Sequence, residues 1–207
     1  MATQLPTELL IATSNAGKIR EFQSLLAALP LRLRSLSEFP AAAEIDETGA
    51  SFAENATLKA KAHAEQTKLW TLADDSGLEV EALGGAPGVL SARYAGKDAS
   101  DAERVARLLS ELSRAGDRRR TARFVCAIAV ADAKGSLVNV SLGVCEGRIA
   151  DAPRGTNGFG YDPVFIPDGY TQTFGELPPE IKQDISHRAR AVKAARSFLL
   201  AHLRIKA

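Results

Sequence analysis

Trp70-Thr71-Leu72-Ala73-Asp74-Asp75-Ser76-Gly77-Leu78 is the stretch on which the fold turns. Its four mostly apolar first residues suit a short buried strand, Trp70 to Ala73. Two adjacent carboxylates follow, then a Ser-Gly pair that suits the turn ending the strand. In open α/β sheets, ligands bind at the carboxyl ends of the strands. Two acids at such a point hold a hard cation or act as a base. An Asp-Asp turn satisfied by its own side-chain hydrogen bonds accounts for the pair equally well.

Upstream, Glu8 to Thr13 reads as a first buried strand, broken at Ser14-Asn15-Ala16-Gly17. A helix follows from Lys18, with Ile19, Phe22, Leu25, Leu26 and Leu29 at helical spacing and Pro30 as its stop. The donor-rich turn from Thr13 to Lys18 opens that helix. Amides at a helix start favour anions, and Lys18 adds a positive charge. An ordinary helix start with one exposed lysine fits the same residues. A Walker A loop does not, since Ala12 and Ile19 stand where that pattern needs Gly and Ser or Thr. Leu31 to Leu36 alternates as a half-exposed strand. Pro40 to Thr48 is a loop with Glu44, Asp46 and Glu47. Ser51 and Glu54 form a capping box for a helix over Phe52 to Thr67. Phe52, Ala56, Lys59 and His63 share one stripe of it. Lys59 there either snorkels to water or meets an anion, and His63 reads as packed.

Downstream, Gly84-Gly85-Ala86-Pro87-Gly88 is either a plain turn or a place where backbone approaches a ligand. Ser100 and Glu103 box the start of a helix with Val105, Leu108, Leu109 and Leu112 inside. Arg118-Arg119-Arg120 reads as a solvated loop more readily than an RNA contact, lacking interleaved aromatics. Arg123 to Ala131 reads as a strand buried on both faces. After the turn Asp132 to Gly135, Leu137 to Cys145 carries Val138, Val140, Leu142 and Val144 on its apolar face and Asn139 and Ser141 on a wetter one. In Gly155 to Pro163, glycines bracket Phe159, Tyr161 and Asp162. That suits a flat ligand that stacks, or a tight loop. Ser186 caps a final helix with Val192, Ala195, Phe198, Leu199 and Leu203 inside. His187, Arg188 and Arg190 in its first turn oppose the helix dipole. An anionic ligand, or Glu180 and Asp184, would relieve them.

In the 207-residue chain 26 basic residues nearly cancel 25 acidic ones, which argues against coating nucleic acid or an anionic membrane. The two cysteines, Cys126 and Cys145, lie in apolar runs, so a reducing compartment is expected rather than a disulfide framework. The first apolar run is too short for a signal peptide, and none reaches membrane-spanning length. A soluble, cytoplasmic protein is the expectation.

Together these pieces are the parts of a nucleoside triphosphate site. The ordered motifs Thr13-Ser14-Asn15-Ala16-Gly17-Lys18, Glu47-Thr48-Gly49-Ala50-Ser51-Phe52 through Lys59, Ala73 to Leu78, Gly84 to Gly88 with Ser91-Ala92-Arg93-Tyr94, Phe159-Gly160-Tyr161-Asp162-Pro163 and Ser186-His187-Arg188 span nearly the whole chain. They resemble the inosine/xanthosine triphosphate pyrophosphatase family. The match departs at Ser14, where many members have glycine. The resemblance implies an α/β fold, with a long mixed central sheet flanked by helices and two lobes with an active-site cleft between them. It implies one such domain over residues 1–207, residues 1–6 being an extension, and a homodimer. The implied reaction cuts ITP, dITP or XTP to the monophosphate and pyrophosphate with Mg²⁺, cleansing the nucleotide pool. By the same resemblance Asp75 is the base and a metal ligand, Glu47 is the other ligand, and Asp74 lies near them. Thr13, Ser14, Asn15, Lys18 and Lys59 would bind the triphosphate. Ser76 and Phe159, Gly160, Tyr161 and Asp162 would hold the substrate, with Phe159 stacking on the base. Lys182, His187 and Arg188 would read the 6-keto edge.

Two other readings compete. A nucleotide-binding module without catalysis has no use for Asp74-Asp75 unless a metal comes too. An RNA-associated protein would use the arginine triplet and the basic last helix, with a steep salt dependence.

Overall fold

The computed structural model describes residues 6–117 and 119–202, so most of the expected N-terminal extension, Arg118 and Leu203 lie outside the described residues. Strand β1 (Glu8–Ile11) is followed by helix α1 (Ala16–Leu26), capped where the Asn15 side chain accepts the Lys18 amide at 3.0 Å. Phe22 and Leu26 are its buried residues. The helix ends ahead of Pro30, and the short strand β2 (Arg32–Ser35) follows. Helix α2 (Phe52–Thr67) has Ser51 as its cap, accepting the Glu54 amide. The Glu54 carboxylate takes the Ala50 amide instead of the cap's own, so half of the expected capping box forms.

Strand β3 (Trp70–Val80) corrects the expectation that a turn begins at Asp74. It runs straight through Asp74, Asp75, Ser76 and Gly77 and continues into buried Leu78 and Val80. An Asp-Asp pair breaks a strand when its carboxylates must reach water. Here both are buried and held by side chains of α1 and α2, so the backbone stays in the ladder.

Helix α3 (Asp101–Arg114) has the expected Ser100–Glu103 capping box and buries Val105, Leu108 and Leu112. Strands β4 (Thr121–Ala131) and β5 (Leu137–Ile149) are joined by the tight turn at 132–136, a connection that only an antiparallel pair permits. Strand β6 (Phe165–Pro167) and helices α4 (Pro179–Ile185) and α5 (His187–His202) complete the chain, Ser186 accepting the Ala189 amide at the start of α5. The sheet order is β2-β1-β3-β4-β5-β6, with β1 parallel to β2 and β3, and β6 antiparallel to β5. The fold is therefore mixed α/β, a six-stranded mixed sheet flanked by helices. Cys126 through Ala131 of β4 are all buried, as expected of a central strand.

On β5 the expected faces are reversed. Val140 and Leu142 are exposed, while Ser141 is buried. Parity is set further along, where Cys145, Gly147 and Ile149 point inward. A Cβ at Gly147 would lie 2.3 Å from the Ile166 carbonyl, so that position must face β6 closely. Counting back in twos brings Ser141 in and leaves Leu142 out. Val138 still packs against buried core residues.

Two compact units are distinguishable, Met1–Asp75 with Cys126–Leu142 and Arg190–Ala207, and Ser76–Val125 with Gly143–Ala189. The first is built on Leu9, Ile11, Phe22, Leu26, Leu72, Ile128 and Leu199. The second is built on Leu78, Val80, Leu108, Phe124, Ile149, Phe165 and Phe174. Leu78 is fully buried, so Leu78→Ala is expected to cost about 2–5 kcal/mol in urea unfolding, against under about 0.5 kcal/mol were it a surface turn residue.

Candidate active site

In the first unit, strand register brings the acids to the turn that opens α1. Ile11 pairs with Leu72, and the Ala12 amide donates to the Leu72 carbonyl. Thirteen and seventy-four are thus level, just past the carboxyl end of β1. Lys18 Nζ lies 2.9 Å from Asp74 Oδ2, whose side chain is wholly buried. Removing one partner of such a pair costs about 3–5 kcal/mol, because it leaves the other charge buried. Ser14 and Asn15 are exposed at this turn, and Thr13 Oγ1 accepts the Asn15 amide at 3.3 Å.

Helix α2 supplies the second arm. Lys59 has found an anion rather than open water, its Nζ lying 2.5 Å from Glu47 Oε1. Burial pulls its pKa down, but Asp74, Asp75 and Glu47 together raise it above the ordinary lysine value. Fully buried Asn55 on the same inner face donates from Nδ2 to Asp75 Oδ2 at 2.9 Å and accepts the Gly49 amide at 2.7 Å. Gly49 must be small, since a Cβ there would meet Asn55 Oδ1 and Glu54 Cβ at 2.7 Å. One amide thus ties the Glu47 loop to Asp75. Sequence reasoning passed over Asn55, although a polar residue on a stripe with Phe52, Ala56 and Lys59 was a signal that it bonds inward. His63 is buried, with its pKa lowered by burial and by the Lys59 charge, in keeping with a packed neutral ring.

Asp75 is the group most at odds with its surroundings. Burial raises its pKa above the ordinary carboxylate value. Lys59, Asn55 and Lys18 oppose that rise, and the Glu47 charge adds to it. The acids supply hard oxygen donors, but among the described residues no three His, Cys, Asp or Glu form a metal cage. Mg²⁺ binds through one or two carboxylates and keeps its remaining positions for water and substrate phosphates. Glu47 and Asp75, whose charges act on one another, offer two carboxylates of the kind such an ion takes.

The second unit holds the remaining expected residues. Asp162 is buried, and its Oδ2 accepts the Phe159 amide at 2.8 Å and Lys182 Nζ at 2.5 Å. Gly158 sits at φ +77°, and a Cβ there would lie 2.0 Å from that same carboxylate oxygen. Lys182 Nζ stands 4.4 Å from the Phe159 ring centroid, and the Arg188 guanidinium 5.8 Å from it. Arg188 is 2% exposed and donates from Nη2 to Ser76 Oγ at 2.8 Å. His187 lies flat on Phe124, centroids 4.6 Å apart. Of the three residues expected to oppose the dipole of α5, His187 and Arg188 are buried, while Arg190 is exposed. Tyr161 turns inward, its hydroxyl donating to the Ser91 carbonyl at 2.9 Å. Arg119 pairs with Asp117 and Glu81, and Arg120 donates to the Ile149 and Ala150 carbonyls, so these basic residues serve the protein's own groups.

Fold and site together define a mixed α/β protein with a carboxylate–lysine centre suited to phosphate-bearing ligands and a cation–aromatic cluster suited to a flat polar ring. The chain belongs to the Ham1 family, whose model matches residues 9–198. The dITP/XTP pyrophosphatase of Geobacillus kaustophilus (strain HTA426) is 54% identical to it over 185 residues, 89% of this chain and 90% of that relative. The dITP/XTP pyrophosphatase of Synechococcus sp. (strain CC9311) is 52% identical over 184 residues, 88% of this chain and 85% of that relative. Among solved structures, a HAM1 protein from Coxiella burnetii has a TM-score of 0.87 at 44% identity, covering 94% of this chain and 98% of its own. The resemblance drawn from the six motifs is borne out at the level of the family.

The sign of the Asp75 shift sets a test. Its folded-state pKa lies above its unfolded value. Below the unfolded value both states are protonated and the carboxyl carries no penalty. As pH rises through the folded-state pKa, the ionised group is held at a cost and stability falls. Asp75→Asn, which cannot ionise and keeps an oxygen for Asn55, is expected to melt higher than the parent at about pH 7. That gain should shrink toward about pH 4 in calorimetry.

Proposed function

We propose that this chain hydrolyses non-standard purine nucleoside triphosphates such as dITP, ITP and XTP to the monophosphate and pyrophosphate. The observation that carries the reading is the condensed set Lys18–Asp74, Lys59–Glu47 and Asn55–Asp75. At rest Lys18 pairs with Asp74 and Lys59 with Glu47. A triphosphate accompanied by a divalent cation offers the lysines an anion and the acids a cation in exchange. Phosphate oxygens take Lys18, Lys59 and the turn at Thr13, Ser14 and Asn15. Glu47 and Asp75, with Asp74 beside them, hold the ion, which we assign as Mg²⁺. When bound, that ion offsets negative charge on the phosphates.

Asp75 accepts the proton of the attacking water as the bridge between the α and β phosphates breaks and pyrophosphate leaves. A raised carboxylate pKa makes it a stronger base than an ordinary aspartate. Asn55 holds one of its oxygens, leaving the group oriented. The base is assigned to the cluster of the second unit. Phe159 stacks on it, and Lys182, His187 and Arg188 face its 6-keto edge. A keto oxygen accepts from these donors, whereas adenine's amino group leaves them unpaired, a loss of about 1–3 kcal/mol for each buried group.

Among the described residues no helix is long and apolar enough to cross a membrane. Buried free cysteines suit a reducing cytoplasm. For the oligomer we assign a homodimer. The exposed Leu137, Val140 and Leu142 on β5 offer an apolar surface for it.

With dITP and Mg²⁺, inorganic pyrophosphate is the expected product, and orthophosphate alone would overturn the assignment. Chelation should stop turnover. Asp75→Asn should lower kcat by more than about 100-fold while the fold persists by circular dichroism. Light scattering should give the mass of a dimer, and Leu142→Lys should shift it toward monomer.

A further inference from the structure

Phe159 is useful as a stacking platform only if its backbone cannot turn, and two consecutive amides decide that. The Phe159 N–H is held within the loop by Asp162. The next N–H, that of Gly160, is held from elsewhere, donating to Asp101 Oδ2 at 2.6 Å across 59 residues of sequence. The peptide planes before and after Phe159 are thereby each pinned by a carboxylate. Fixing the first restrains φ of Phe159 and fixing the second restrains ψ, so the direction of its side chain is set. Gly160 itself sits at φ +61° with open space at its Cβ position, so glycine serves the backbone angle there and not a lack of room.

Asp101 is well placed to act as the fixed end of that tether. It is the first residue of α3, whose Val105, Leu108 and Leu112 are buried in the core of its unit. Its other oxygen accepts Arg104 Nη2 at 2.5 Å, and Arg104 Nη1 also donates to the carbonyls of Ala92 at 2.9 Å and Ala99 at 2.5 Å. The carboxylate rotamer is thus locked to both α3 and the turn Gly88–Arg93. That turn also receives the Tyr161 hydroxyl at the Ser91 carbonyl. Residues 159–161 are therefore held by bonds from Asp162, Asp101 and Ser91. We infer that Asp101 is a positioning residue for base recognition, acting through Gly160 to aim the Phe159 ring. This rests on the assignment of Phe159 as the base-stacking residue.

The test is a double-mutant cycle on dITP hydrolysis. Asp101→Ala is expected to raise KM about 10-fold and leave kcat within about 2-fold, the signature of lost binding rather than lost chemistry. Asp101→Asn keeps a carbonyl oxygen for the Gly160 amide while giving up the Arg104 contact, and should restore part of the parent KM. Phe159→Ala should raise KM by itself, and adding Asp101→Ala to it should raise KM no further, since residues that act through one another are non-additive. A KM unchanged in Asp101→Ala, an Asn variant as impaired as the Ala one, or multiplying effects in the double variant would each overturn the proposal. A Phe159→Ala enzyme with unchanged KM would overturn the stacking assignment, and the role of Asp101 with it.

Discussion

A carboxylate inside a β-strand survives only where a cation or a donor reaches it, and β3 carries two in succession. Asp74 is met by Lys18 from α1 and Asp75 by Asn55 from α2. Without those partners each buried group would have to protonate or pull the strand apart toward water. With them, β3 runs on to Leu78 and Val80, which belong to the core of the second unit. The same contacts that let the strand continue also gather the charges to which the proposed polyphosphate chemistry is assigned. In that proposal stability and function rest on one set of side chains.

That arrangement gives the two acids different surroundings. Asp74 is tied directly to an ammonium. Asp75 accepts the Asn55 side-chain amide, and burial leaves it with a raised pKa. Two neighbouring carboxylates in different surroundings can take different roles, one neutralised and one basic. Lys59 serves both, since its charge faces Asp74, Asp75 and Glu47 together. The second unit follows a parallel logic. Asp162 holds Lys182 and the Phe159 amide at once, so a buried anion orders both a cation and an aromatic ring.

Much of this was legible before any coordinates. Helical spacing located α1, α2 and α3, and the unbroken apolar run located β4. The motifs carrying Lys18, Glu47, Asp74-Asp75, Phe159 and His187-Arg188 marked the residues that the two clusters contain. What failed did so for local reasons. An Asp-Asp-Ser-Gly sequence has the chemistry of a turn, and only partners 20 and more residues away keep it extended. On β5 hydrophobicity alternates in either register, and it is the crowding of Gly147 against Ile166 that chooses one. Asn55 was passed over although its stripe points inward, and Asp101 because an aspartate in a helix's first turn is already explained by the helix dipole.

The chain by itself thus determined which segments are helices and strands, which residue types could meet a metal, a phosphate or a purine, and the family to which they belong. These properties are written in periodicity, capping residues and short motifs, all of which act over a few positions. Tertiary structure alone decided that the acid pair stays inside a strand, which donor each carboxylate receives and which face of β5 is exposed. Those outcomes depend on pairings between residues far apart in sequence, and a pairing energy has no value until folding brings its partners within a few ångströms.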